Sequence, residues 1–156
     1  MKIMDFLNKK AITANLESKD KKGVIRELID LLVKSGEIKA QDKGSIVKIL
    51  LDREVLGSTG IGQGIGIPHG KTKNVKKLIA ACGISKVGIN FDSLDGEPTN
   101  IFFLLLAPQD SAGPHLKALA RISRLLKDKY FRDVLQNAGN EKELISIINR
   151  EDQKKH

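Results

Sequence analysis

A glycine-rich segment at residues 57–70 restricts the possible folds of this chain more than any other stretch of its sequence. The segment reads GSTGIGQGIGIPHG, so that six of its fourteen positions are glycine. Glycine loses more conformational freedom on folding than any other residue and is disfavoured inside helices and strands. The segment therefore predicts neither a regular helix nor a simple strand, but a backbone that turns tightly or approaches another group closely.

Two nucleotide-binding loops are natural candidates for such a segment, and the spacing of the glycines argues against both. A Walker A motif that ended at residues 70–72 would need glycine at position 65, which is Ile65. A G-x-G-x-x-G fingerprint lacks its third glycine from each possible start, at Gly60, Gly62 or Gly64. We therefore expect no nucleotide at this segment.

Hydrophobic periodicity predicts helices on both sides of a central group of strands. The predicted helices are 18–34, with Ser18 as cap and residues 34–36 as stop signal, then 41–54, a helix opened by Gly113-Pro114, 129–136 and 141–149. The predicted strands are 78–84, 87–91 and 101–107, of which the last, a continuous apolar run, reads as fully buried. This mixture predicts a layered α/β or α+β domain with a mostly buried sheet.

Length and composition fit one globular domain over residues 1–156. Apolar residues make up 40% of the chain, and Cys82 is the only cysteine, which excludes an intrachain disulfide and zinc-finger spacing. The longest strongly apolar run, 101–107, is far shorter than the roughly 20 residues of a membrane helix. The N-terminus has no apolar signal-peptide core. We expect a soluble cytoplasmic protein without membrane insertion.

The chain has an excess of positive charge, with 27 Lys and Arg against 19 Asp and Glu and a net charge of +8. Such a balance raises nucleic acid or an anionic protein as a partner. The basic stretch at Lys71, Lys73, Lys76 and Lys77 has no interleaved aromatic residues, so that base stacking is poorly supported. We interpret it as a solvated loop face, or as a surface that steers an anionic donor, and expect no nucleic acid binding.

His69 is the first candidate for chemistry. It lies between Pro68, whose φ is fixed, and Gly70, which permits unusual backbone geometry and exposes backbone N–H groups. A neutral imidazole is abundant at pH 7 and can act as a nucleophile or group acceptor. The alternative is a turn histidine that bonds only to backbone. The entropic cost of the surrounding glycines favours a function.

His115 and Arg53 are the next candidates. His115 follows Gly113-Pro114 in the first turn of a helix, where free N–H groups attract anions, although it could equally be an exposed neighbour of the cap. Arg53 ends the second helix and could hold a phosphate with two parallel hydrogen bonds. The alternative for Arg53 is a solvated or Glu-paired surface residue.

Ser58 and Thr59 could donate hydroxyl hydrogen bonds to an anion, or could serve only as turn residues. A metal site is not indicated, because His69, His115 and Cys82 are too scattered along the chain for a metal-ligand pattern.

These residues together resemble the enzyme IIA domains of the bacterial phosphotransferase system, of the fructose/mannitol/nitrogen-regulatory type. Four motifs in the same order carry the resemblance: Arg53-Glu-x-x-Gly-Ser-Thr-Gly-Ile-Gly, Gly66-Ile-Pro-His-Gly-Lys71, Phe91-Asp-Ser-Leu-Asp-Gly-Glu-Pro98 and His115-Leu-x-x-Leu-Ala120. It covers the chain roughly from Asn15 onward.

The resemblance implies a three-layer α/β/α sandwich around a small mixed β-sheet. It implies that His69 accepts a phosphoryl group on Nε2, that His115 is a second active-site histidine, and that Arg53 contacts the phosphate. Ser58, Thr59 and Gly70 would support that phosphate. No metal, nucleotide or other cofactor is implied, because the donor already contains a high-energy N–P bond.

The implied donor is the phosphohistidine of the carrier protein HPr or of its nitrogen-branch relative. The form Ser58-Thr-Gly-Ile-Gly, the turn 95–98 and the stretch 122–126 favour the nitrogen-regulatory branch, in which phosphorylation state signals to a regulatory target protein. The alternative is a stand-alone fructose/mannitol-type enzyme IIA that passes the phosphoryl group to a IIB sugar-transport component. A binding module whose His69 is never modified is a further alternative.

Overall fold

The computed structural model describes residues 1–154, and within them the chain forms six strands and five helices. In chain order these are β1 (Leu7–Thr13), α1 (Lys21–Lys34), α2 (Lys43–Val55), β2 (Gly60–Gly62), β3 (Ile65–Gly66), β4 (His69–Thr72), β5 (Ile79–Ile89), β6 (Thr99–Pro108), α3 (Ala112–Leu125), α4 (Lys129–Gln136) and α5 (Glu141–Gln153). Short 3-10 turns at Ile3–Asp5 and Ala40–Asp42 precede β1 and α2.

The strands form one mixed sheet in the order β1-β5-β6-β3-β2. β5 and β6 are antiparallel, whereas β1 is parallel to β5, and both β3 and β4 are parallel to β6. β4 follows β3 along the same edge of β6, so that residues 65–72 run beside residues 101–108. This edge carries the glycine-rich segment.

Helices cover both faces of the sheet, which confirms the expected three-layer α/β/α sandwich. α1 and α2 pack on one face, and α3, α4 and α5 on the other. β6 serves both layers because its side chains alternate: Ile101, Phe103 and Leu105 join the core under α3–α5, and Phe102, Leu104 and Leu106 join the core under α1 and α2. The prediction of a fully buried strand here is confirmed.

The predicted helices are present with shifted ends. α1 begins at Lys21, and its cap is Asp20, whose carboxylate accepts the N–H of Gly23 at 2.7 Å. The prediction that Ser18 caps this helix is wrong, since the Ser18 hydroxyl donates to Glu27 instead. The stop signal is confirmed, because Gly36 takes a φ of 84° directly after the helix.

The strands differ more from the predictions. The sequence pattern predicts separate strands at residues 78–84 and 87–91, but these residues belong largely to one strand, β5, which has an irregular register between Ile84 and Ile89. β1 was not predicted, because its sequence LNKKAIT is half polar and it lies at a sheet edge. The glycine-rich segment contains three short strands, β2, β3 and β4. No helix within residues 1–154 is long and apolar enough to cross a membrane.

Candidate functional site

The glycine-rich segment folds into a hairpin followed by an edge strand. β2 and β3 are antiparallel, and the turn between them holds Gln63 at φ 58° and Gly64 at φ 78°. The chain then bends at Ile67 and Pro68 into β4, where His69 lies opposite Leu105 of β6. The N–H of Ile67 donates to the carbonyl of Thr59 at 3.0 Å, which fastens the end of the hairpin to its beginning.

The two faces of β4 have different neighbours. A side chain at Gly70 would come within 3.1 Å of Ile49 on α2, so this face packs tightly on the helix. Alternate residues of a strand face opposite sides, and His69 and Lys71 therefore face the α3 side of the sheet. The His69 ring contacts that of His115 on α3, which agrees with this orientation.

The His69 ring is half-buried and fixed by one hydrogen bond. Its Nδ1 lies 2.7 Å from the carbonyl oxygen of Ile67. Because a carbonyl oxygen can only accept, the neutral ring carries its proton on Nδ1, and Nε2 keeps a free lone pair. The geometry thus leaves Nε2 as the ring nitrogen that is chemically able to act as a nucleophile.

Burial lowers the pKa of His69 below its ordinary value of 6.5. The bond to the Ile67 carbonyl raises this pKa in part, the positive charge of Arg53 lowers it, and the negative charge of Glu54 raises it. The net direction is downward, so the His69 ring is neutral at pH 7.

His115 lies in the first turn of α3 with 5% of its surface exposed. The rings of His69 and His115 are 5.5 Å apart, centroid to centroid, and meet at 78°. Burial, with smaller contributions from His69 and Lys71, lowers the pKa of His115 to about 4. His115 is therefore neutral, and its buried Nε2 has no hydrogen-bond partner within residues 1–154.

Arg53 reaches the site from the last turn of α2. One nitrogen of its guanidinium, Nη1, donates to the carbonyl of Gly57 at 2.8 Å, which leaves its other N–H groups available. Arg53 and His69 line one cleft of about 210 Å³, together with Ser58, Thr59, Ile61, Ile67, Leu119 and Ser123. The structure thus brings together His69, His115 and Arg53, which the sequence singled out separately.

Ser58 and Thr59 also lie at this cleft, but their hydroxyl protons are already used. The Ser58 hydroxyl donates to the Phe91 carbonyl at 2.5 Å and accepts the N–H of Gly60 at 2.9 Å. The Thr59 hydroxyl donates to the carboxylate of Glu54. A direct hydrogen bond from either hydroxyl to a phosphate would require one of these bonds to break. The expected phosphate support by both residues, and by Gly70, stays a prediction.

Glu54 has no assigned role among the candidate residues of the sequence, although the structure buries its carboxylate behind the cleft. A signal was available, because an acidic residue in the last turn of a helix meets the negative end of the helix dipole. An acidic residue at this position needs a specific partner that compensates its negative charge. No group of three or more His, Cys, Asp and Glu side chains among residues 1–154 is placed to hold a metal ion.

Comparison with known proteins gives a consistent family match. Residues 5–151 match the family model described as phosphoenolpyruvate-dependent sugar phosphotransferase system, EIIA 2. The match starts before Asn15, from which the resemblance in sequence runs, and so includes all of β1.

Relatives of two kinds are similar to this chain. The fructose-specific EIIABC component of Bacillus subtilis is 42% identical over 152 residues, which are 97% of this chain but only 24% of that protein. A nitrogen regulatory protein of Bradyrhizobium diazoefficiens is 36% identical over 148 residues, 95% of each protein. The crystal structure of the nitrogen regulatory protein IIA-Ntr from Neisseria meningitidis matches with a TM-score of 0.84 and 31% identity, covering 94% of this chain and 98% of that one.

We predict that His115 titrates near pH 4 and that His69 titrates below about 6.5, because burial disfavours the charged form of both rings. Titration of the imidazole nitrogens by NMR, with His69→Gln and His115→Gln to assign the signals, measures both midpoints. A His115 midpoint near the ordinary value would contradict the described packing of the two rings.

The same shifts predict the pH dependence of stability. Both pKa values are lower in the folded chain than in the unfolded chain, so the unfolded chain binds more protons, and the free energy of unfolding falls as the pH falls. For His115 this loss runs from about pH 6.5 to about pH 4. Urea unfolding across this range should show a weaker pH dependence in His115→Gln than in the wild type.

Proposed function

This chain belongs to the EIIA 2 family of the phosphoenolpyruvate-dependent sugar phosphotransferase system, and we propose that it carries a phosphoryl group on Nε2 of His69. The observation that carries the proposal is the hydrogen bond from His69 Nδ1 to the Ile67 carbonyl. It leaves Nε2 unprotonated, in a ring that shares a cleft with Arg53. A nitrogen with a free lone pair is the nucleophile that a phosphoryl acceptor requires.

The transfer step is an in-line displacement between two imidazoles. The lone pair of His69 Nε2 forms the new N–P bond, and the electron pair of the donor's N–P bond returns to the donor histidine. No proton has to leave His69, because Nδ1 keeps its hydrogen on the Ile67 carbonyl. The ring gains a positive charge that the phosphoryl oxygens offset, and this charge makes the group transferable again in the next step.

Arg53 and His115 stabilise the charge of the group in transfer. The guanidinium of Arg53 donates to the equatorial phosphoryl oxygens with N–H groups that Gly57 does not use. His115 contributes the single N–H of a neutral ring, which lowers the repulsion that two cationic histidines would experience. Both groups are held in place before the donor arrives, which is the main source of catalysis in phosphoryl transfer.

Ser58, Thr59 and Gly70, the remaining candidates, do not contact the phosphate in this proposal. Ser58 and Thr59 hold the hairpin in place through their bonds to the Phe91 carbonyl and to Glu54. Gly70 allows β4 to approach α2 closely directly beside His69. Their support of the phosphate is therefore indirect and consists in holding the backbone around the cleft.

Exposed apolar side chains lie on or next to the chain segments that form the site, and they suit a transient protein partner. Each belongs to or neighbours a segment of the site: Val55, Leu56, Ile61, Leu94 and Leu116. The donor is a phosphorylated HPr-like carrier protein, which docks on these side chains in the cytoplasm. The net charge of +8 favours acidic or phosphorylated partner surfaces.

For the acceptor we propose a regulatory target protein that distinguishes the phosphorylated from the unphosphorylated form. Similarity to the nitrogen regulatory protein over 95% of both chains supports this choice. A second candidate is a IIB component of sugar transport, which the 42% identity to a fructose-specific relative supports. Rapid loss of the phosphoryl group to an added fructose-type IIB domain would favour this second acceptor.

We predict that wild-type protein gains the mass of one acid-labile phosphoryl group when incubated with phosphoenolpyruvate, enzyme I and HPr. His69→Ala should gain none, because the nucleophile is absent. His115→Ala should still be phosphorylated, but more slowly. Intact mass spectrometry with a time course measures all three. Phosphorylation that survives in His69→Ala and disappears in His115→Ala would contradict the assignment.

Replacing Arg53 with lysine should slow phosphoryl transfer by about 10- to 100-fold, because an ammonium cannot make two parallel hydrogen bonds to a phosphoryl group. Arg26→Lys, at an exposed position of α1, is the matched control and should transfer at the wild-type rate. Quench-flow phosphorylation by phospho-HPr measures both rates. Wild-type transfer in Arg53→Lys would exclude a bidentate contact.

A further inference from the structure

A buried carboxylate lies behind the proposed phosphorylation site with three hydrogen-bond donors around it. Glu54, the residue after Arg53 on α2, is 8% exposed. Its Oε1 accepts the N–H of Thr59 at 3.1 Å and the ammonium of Lys21 at 3.1 Å, and its Oε2 accepts the Thr59 hydroxyl. The carboxylate therefore joins α1 and α2 to the first residues of the glycine-rich segment.

Lys21 extends this cluster to the loop after β5. Its ammonium also pairs with Asp92 at 3.2 Å and lies 4.7 Å from the centre of the Phe91 ring. Asp92 is one of two non-glycine residues with positive φ in residues 1–154, at 53°. The ion pair thus fixes a strained loop whose Phe91 carbonyl accepts the Ser58 hydroxyl.

A continuous path of hydrogen bonds connects Glu54 to the nucleophile. Glu54 accepts from the Thr59 N–H, the Thr59 carbonyl accepts the Ile67 N–H at 3.0 Å, and the Ile67 carbonyl holds His69 Nδ1 at 2.7 Å. Every bond on this path fixes the next backbone group. A shift of Glu54 would therefore move the carbonyl that orients the His69 ring.

Stability alone does not account for this arrangement. A nearly buried ion pair contributes little net stability, since its desolvation offsets most of its attraction. The carboxylate also lies at the end of α2 where the helix dipole opposes a negative charge. The desolvation of the ion pair and the unfavourable helix dipole both reduce stability, and both act directly beside the site.

We propose that Glu54 and Lys21 are positioning residues for His69: Glu54 fixes the backbone path that orients the imidazole, and Lys21 compensates the negative charge that Glu54 places next to it. The inference rests on the proposed function, since it assigns the pair to phosphoryl transfer. The opposite charges of Glu54 and Lys21 then keep the net charge beside His69 close to zero. A nearly neutral surrounding suits both the acceptance and the release of the phosphoryl group.

The charged and titratable groups around His69 are few. Arg53 and Glu54 act on it from α2, His115 faces it from α3, and Lys71 lies two residues along its own strand. Glu54 raises the pKa of His69. Removing its charge should lower that pKa, whereas removing Lys21 should raise it, because Glu54 and Asp92 are then uncompensated.

The test uses Glu54→Gln, Lys21→Met and the double variant of the full chain. NMR titration should show the His69 midpoint shifted down in the first, up in the second and close to wild type in the double variant. Phosphorylation by phospho-HPr should slow by about tenfold in each single variant, because misplacement of a reacting group reduces the rate. Shifts of the same sign in both single variants, or no shift, would overturn the proposal.

A matched control is available on the same two helices. Lys43 on α2 pairs with Asp30 on α1, partly exposed and outside the path to His69. Lys43→Met should leave the His69 midpoint and the transfer rate unchanged, and an effect as large as that of Lys21→Met would overturn the specific role of the pair.

Two further measurements keep the proposal testable when Glu54→Gln does not fold or when the wild type is not phosphorylated. Should Glu54→Gln fail to fold, Glu54→Asp keeps the charge but withdraws the carboxylate from Thr59, and slower transfer with a nearly unchanged His69 midpoint is then expected. Wild-type rates in Glu54→Asp would overturn the positioning role. Absence of phosphorylation in the wild type would overturn the proposed function instead, and the titration shifts, which need no donor, would still decide about the charge pair.

Discussion

The phosphoryl transfer proposed for this protein depends on one hydrogen bond, from Nδ1 of His69 to the carbonyl of Ile67. It fixes the tautomer of the imidazole, its orientation and the identity of the free nitrogen in a single contact. Without it, two ring nitrogens would compete for an incoming phosphoryl group. In the proposed transfer, a fixed position of Nε2 allows Arg53 and His115 to be placed in advance around the incoming phosphoryl group.

The bond in turn depends on where the fold places the backbone between β3 and β4. Ile67 and Pro68 lie where β3 passes into β4 beside β6, the strand with both faces buried. The glycine-rich segment can reach this edge because it turns at a positive φ in Gly64 and packs closely on α2 at Gly70. The burial of Ile65 and Ile67 against the sheet helps to offset the conformational entropy that the glycines lose on folding.

Much of this architecture could be predicted from the sequence. Periodicity located the helices, and the apolar run 101–107 identified the central strand. His69, His115 and Arg53 are marked by local context, namely flanking Pro and Gly, a helix start and a helix end. The pairing of Lys21 with Glu54, 33 residues apart, leaves no local pattern. β1 was missed for a similar reason, because its pairing with β5 holds a half-polar edge strand in place.

The most direct test of the account identifies the phosphorylated nitrogen. Protein labelled with ¹⁵N in its histidines is phosphorylated with phosphoenolpyruvate, enzyme I and HPr, and the one-bond coupling between ³¹P and ¹⁵N is recorded. We expect coupling to Nε2 of His69, with Nδ1 still engaged with the Ile67 carbonyl. Coupling to Nδ1 of His69, or to a nitrogen of His115, would contradict it.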